Sequence, residues 1–85
     1  MKTFKDLEFK KWQNSEGSHA YMEFPNGYGI SVITGKMAYS DEKHPYEAAI
    51  LYKGDLYCTI VNPDGVIGYL DDEGVTEIMK RIQEL

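Results

Sequence analysis

The sequence predicts an α+β fold: a mainly antiparallel sheet of four to five strands, with one C-terminal helix packed on one face. Three observations carry this. Short segments alternate apolar and polar residues with period two, and each ends at a turn signal. One stretch, at the C-terminus, instead carries apolar residues at helical spacing. That stripe must bury against something, and a sheet face is the only large apolar partner in so short a chain.

The strands follow in order. Asp6 to Trp12 alternates loosely, with Leu7 and Phe9 on one side and Glu8 and Lys10 on the other. The polar run Gln13 to Ser18 reads as a turn. His19 to Phe24 sets Ala20, Met22 and Phe24 on one face and His19, Tyr21 and Glu23 on the other. Pro25-Asn26-Gly27 then gives the strongest hairpin signal, because Asn-Gly readily takes positive φ. The returning strand, Tyr28 to Thr34, is rich in β-branched residues. Gly35 to Pro45 reads as a loop. Tyr46 to Tyr52 is strand-like, with Tyr46, Ala48, Ile50 and Tyr52 sharing a face, and Lys53-Gly54-Asp55 is a turn. Leu56 to Val61 is the next expected strand, followed by the turn Asn62-Pro63-Asp64-Gly65. Val66 to Leu70 is a short last strand or a bridge into the helix.

The helix is announced by Val75, Ile78, Met79, Ile82 and Leu85, which form a single apolar stripe. Asp71 is placed to cap it, with Leu70 and Val75 as a hydrophobic staple around the cap. Asp72 and Glu73 suit the positive end of the helix dipole, and Lys80 and Arg81 lie toward the negative end. Gly74 costs about 1 kcal/mol relative to alanine in a first turn. It makes sense only if close packing or cap geometry requires it.

Length and charge bound the function. The 85 residues allow one domain, residues 1–85, with no room for a second core. Fourteen acidic residues against nine basic ones leave a net charge of −5, which argues against gripping a nucleic-acid backbone or an anionic membrane. Basic protein partners and locally held small ligands stay open. The charge is uneven: residues 1–13 carry Lys2, Lys5, Lys10 and Lys11 against Asp6 and Glu8, a local excess of +2. No run approaches the roughly 20 apolar residues that cross a bilayer. Met1 to Asp6 leads into no apolar leader stretch, and the single Cys58 has no intramolecular disulfide partner. Both observations predict a reducing, cytoplasmic location.

Candidate sites are few. Two glycines in Asn26-Gly27-Tyr28-Gly29 lie in a hairpin and lack the lysine and serine of a phosphate loop. His19, His44 and Cys58 match no zinc spacing, and Cys58 is expected to alternate into the core with Leu56 and Ile60. Asp41-Glu42 and Asp71 to Glu73 read as turn and cap residues rather than acid–base pairs. Neither an enzyme, a cofactor nor a metal is therefore expected.

The seven tyrosines are the richer signal. Tyrosine suits strands, where cross-strand ring pairs stabilise a sheet, and it also suits contact surfaces. A single helix covers one sheet face, so tyrosines on the other face are expected to stay exposed and recognise a partner. The residues expected to bind are Tyr21, Tyr28, Tyr39, Tyr46 and Tyr57. Lys36 and Lys43 join them from the loop Gly35–Pro45, which is longer than a hairpin needs. Open sheet edges and small size make a C2 homodimer the default expectation.

The combination Phe24-Pro25-Asn26-Gly27-Tyr28-Gly29-Ile30-Ser31-Val32, Tyr46-Glu47-Ala48-Ala49-Ile50-Leu51 and Val66-Ile67-Gly68-Tyr69-Leu70 resembles small accessory proteins of tailed bacteriophages and prophages. The resemblance implies a context, the cytoplasm of an infected bacterium. It implies a non-enzymatic inhibitor that binds a bacterial host or defence protein, of the anti-defence or anti-CRISPR kind. The alternative is a sponge that sequesters a nucleotide immune signal, of cyclic nucleotide or ADP-ribose type, between subunits. It assigns no functional residue.

Overall fold

The computed structural model describes residues 1–13, 16–35, 38, 40–57 and 65–85. It is an α+β fold. An antiparallel sheet is built from β1 (Lys10–Lys11), β2 (Ser18–Glu23), β3 (Tyr28–Thr34), β4 (Tyr46–Tyr52), β5 (Asp55–Leu56) and β6 (Val66–Leu70). One helix, α1 (Asp72–Gln83), packs against it. The strand order is β1-β2-β3-β4-β5, and β6 also pairs with β4. One edge of β4 is thus shared: Leu51 and Tyr52 pair with β5, while Tyr46 to Ala49 pair with β6.

Turn chemistry sets the register. Gly27 takes φ +90° in the β2–β3 hairpin, and the Tyr28 N–H donates to the Asn26 side-chain oxygen at 3.0 Å. This puts Ala20 opposite Val32 and Met22 opposite Ile30. Lys53 and Gly54 both have positive φ, as a two-residue type I′ turn demands, so β4 returns directly as β5.

The helix covers the face that alternation makes most apolar. Val75, Met79 and Ile82 are buried on Ile30, Val32 and Ala48, and Ala20, Phe24 and Leu7 complete the core. Each such aliphatic side chain contributes about 1.5–3 kcal/mol on leaving water. The Asp71 carboxylate caps α1, accepting from the Gly74 N–H at 2.7 Å. A side chain at Gly74 would put its Cβ 3.2 Å from both the Asp71 carboxylate and Leu70, which is why glycine stands in this first turn. The cap expected from the sequence is present.

Two expectations are corrected. The first strand shrinks to Lys10–Lys11. Ahead of it, Phe4–Asp6 form a 3-10 turn whose Asp6 carboxylate accepts from the Thr3 N–H at 2.8 Å. The reason is a better partner: the N-terminal segment straps α1. Phe4 N–H donates to the Thr76 hydroxyl at 3.1 Å. Gln83 exchanges hydrogen bonds of 2.9 and 2.8 Å with the Lys2 backbone.

The second correction concerns the tyrosines. Tyr28 and Tyr46 lie on the helix side of the sheet and pack on the core. They share alternation parity with Ile30 and Ala48, and the apolar stripe of α1 selects that face. Among the described residues the opposite face is mixed in character. It carries His19, Tyr21 and Glu23 from β2, Ser31 and Ile33 from β3, and Glu47, Ala49 and Leu51 from β4. Of the expected strand Leu56 to Val61, only Leu56 is described as strand, and Cys58 to Val61 lie outside the described residues.

Candidate binding surfaces

Two aromatic clusters sit at opposite ends of the helix-side face. At one end Phe4, Phe9 and Tyr46 form a triangle with ring centroids 5.1–5.7 Å apart. At the other, Tyr28 lies 4.6 Å from Tyr52 and meets Tyr57 edge-on at 5.2 Å. Hydrogen bonding with Tyr57, reinforced by desolvation, holds the Tyr28 phenol above its usual range. The first cluster ties the N-terminal strap to β4. The second closes the end of the sheet near the β2–β3 turn, and Lys53 Nζ stands 5.4 Å from the Tyr52 ring centroid.

Of the residues singled out in the sequence, Tyr28 and Tyr57 are brought together, and Tyr46 is held apart in the other cluster. Of the expected tyrosines that are described, Tyr21 projects from the open face, and it is 53% exposed. Its hydroxyl donates to Glu23 at 2.9 Å, and that bond holds its phenol above the usual range. Lys43 is exposed in a turn organised by Asp41, whose carboxylate accepts from the Lys43 N–H at 3.0 Å and the His44 N–H at 2.6 Å. Lys36 and Tyr39 lie outside the described residues.

A strongly apolar groove of about 440 Å³ lies between α1 and the β4–β6 side of the sheet. Ile50, Tyr57, Ile67 and Leu70 form its floor, and Gly74, Ile78 and Leu85 its helical wall. Arg81 and Glu77 stand at the rim, 3.4 Å apart. Leu85, 60% exposed, prolongs the groove beyond the last turn. Reasoning from tyrosines missed this surface. Its signal was present: Ile78 and Leu85 belong to the helical stripe but lie toward its flank, over the groove. Among the described residues expected to bind, Tyr57 lines it.

Among the described residues, no helix is long and apolar enough to cross a membrane, and no three His, Cys, Asp or Glu side chains are grouped to hold a metal ion. Comparison with protein-family models, with curated proteins and with solved structures found no significant match to this chain.

Proposed function

We propose that this chain acts by binding another protein rather than by transforming a substrate, as a phage accessory protein that inhibits a bacterial host or defence protein. The observation that carries the reading is the apolar groove along α1. An apolar recess with a charged rim suits a short amphipathic segment of a partner, whose apolar anchors fill the recess while its polar residues meet the rim. Large apolar side chains left at a surface mark interaction sites when they are contiguous, and Ile78 and Leu85 line one recess here. The net charge of −5 favours a basic partner and hastens its encounter. The bacteriophage setting rests on the sequence resemblance alone.

The test is affinity capture from bacterial lysate with three proteins: the wild type, Leu85→Glu, and Tyr21→Ala on the opposite face. One host protein is expected with the wild type and with Tyr21→Ala, and not with Leu85→Glu. No specific host protein, or equal capture by all three, contradicts the reading.

A further inference from the structure

The open face of the sheet holds a second concavity, unlike the groove in chemistry. It is a shallow basin of about 670 Å³ lined by Lys10, Lys11, Trp12, Gln13, His19, Ser31 and Ile33. Lys10 pairs with His19 across β1 and β2, and Ile33 pairs with His19 across β2 and β3, so these three project from one face. Trp12 follows β1 and leans on His19, with ring centroids 5.8 Å apart. Its N–H of the main chain donates to Gly17 at 3.3 Å, which fixes the chain as it leaves the strand.

Three features converge there. The chain is acidic overall, at −5, yet two adjacent lysines and a histidine line this one recess. The only tryptophan of the sequence forms a wall beside them. Ser31 and Gln13 add neutral hydrogen-bonding groups, and Ile33 adds an apolar floor. A flat aromatic wall next to the Lys10 ammonium suits a ligand that joins a planar base to phosphates: bases stack on aromatic rings, and phosphates take ammonium donors. A long strand of nucleic acid is disfavoured, because carboxylates flank the basin. Glu8 lies beside Lys10 and His19 in an adjoining recess, and Glu47 is paired with Ile33 on the next strand.

We infer that this basin binds a free nucleoside phosphate, with its base against Trp12 and its phosphates held by Lys10, while Lys11 adds positive charge from the strand edge. The inference is independent of the groove along α1. It also differs from the nucleotide site expected in the sequence, which relied on Lys36, Lys43 and the tyrosines.

Trp12 supplies its own readout. The whole protein is titrated with ATP, tripolyphosphate and a single-stranded oligothymidylate while tryptophan emission is followed. Saturable quenching by ATP is expected, with tripolyphosphate displacing ATP but quenching little by itself. Lys10→Ala/Lys11→Ala should weaken ATP binding roughly tenfold, and Trp12→Ala, followed by calorimetry, roughly ten- to a hundredfold. Lys80→Ala, on the far side of the molecule, should leave binding unchanged. Circular dichroism and melting of each variant establish that it is folded, and Lys10→Gln/Lys11→Gln replaces the alanine pair if it is not. No saturable response to ATP overturns the inference, as does ATP binding that is indifferent to the lysine pair. An oligothymidylate that binds more tightly than ATP overturns it in favour of a nucleic-acid strand.

Discussion

The side-chain amide of Asn26 donates to the main-chain carbonyl of Ile82 at 2.9 Å, joining the β2–β3 turn to the C-terminal turn of α1 across 56 residues of sequence. The same amide group accepts from the Tyr28 N–H through its oxygen. One side chain thus holds the hairpin and adds a second hydrogen bond to a helix-end carbonyl that also accepts from the Leu85 N–H at 3.1 Å. Asn26→Asp keeps the acceptor, removes the donor and sets a negative charge at the negative end of the helix dipole. A loss of about 1–2 kcal/mol is expected in denaturant titration. Asn26→Ser should lose less, since it adds no charge. Equal stability of Asn26→Asp and the wild type would show that the tie contributes nothing.

At the other end of α1, Asp71 and Gly74 form one device. Asp71→Ala should cost about 1 kcal/mol by removing the cap. Gly74→Ala would gain about 1 kcal/mol in an ordinary helix. Here the new Cβ meets the Asp71 carboxylate and Leu70 at 3.2 Å, so the gain should vanish. In the Asp71→Ala background one obstacle is gone, and part of the gain should return. A double-mutant cycle measures this coupling, and strict additivity would refute it.

Tyr46 and Tyr21 separate a structural tyrosine from a surface one. Tyr46→Ala opens the triangle with Phe4 and Phe9 and should cost about 2 kcal/mol. Tyr21→Ala should stay within about 0.5 kcal/mol, as exposed substitutions do. Thermal melting of both variants decides, and a larger loss at Tyr21 would invert the assignment of the two sheet faces.

Stability should fall in acid for a local reason. The His44 main-chain N–H holds the Asp41 carboxyl below the ordinary aspartate range, helped by the His44 ring, while partial desolvation opposes it. The Thr3 main-chain N–H does the same for Asp6, aided by Lys2 and Lys5, again against partial desolvation. A carboxyl with a lowered folded-state pKa stabilises the fold above its unfolded value and loses that contribution as pH falls toward the folded value. The window therefore opens near the ordinary aspartate pKa of about 3.9 and extends below it. Asp6→Asn/Asp41→Asn should flatten the acid limb of a melting-temperature profile in that window. A limb as steep as that of the wild type would contradict these assignments.

The sheet and the helix were legible because each element carries its own period. Asn26-Gly27, Lys53-Gly54 and Asp71 mark boundaries through local chemistry that needs no tertiary context. Two things were not legible. Alternation shows that Tyr46 shares a face with Ala48 and Ile50, but the covered face depends on where α1 lands. Comparing Ile30 and Val32 with Ser31 and Ile33 would have favoured the correct side, placing Tyr28 and Tyr46 beneath the helix. The N-terminal strap depends on contacts such as Phe4 to Thr76 and Lys2 to Gln83, which span more than seventy residues and leave no local trace. The groove is of the same kind, since Ile67 and Ile78 become neighbours only when β6 joins β4. Trp12 was visible as a residue, and the excess of +2 around it was visible too. Their convergence required the pairing of β1 with β2.

The most direct test of recognition through the α1 groove is position-specific photo-crosslinking in bacterial cells. A photoreactive side chain placed at Leu85 or Ile78 is expected to form a single covalent adduct with a host protein, and one placed at Tyr21 none. Adducts arising from Tyr21 alone, or no adduct from any of the three positions, would contradict the account.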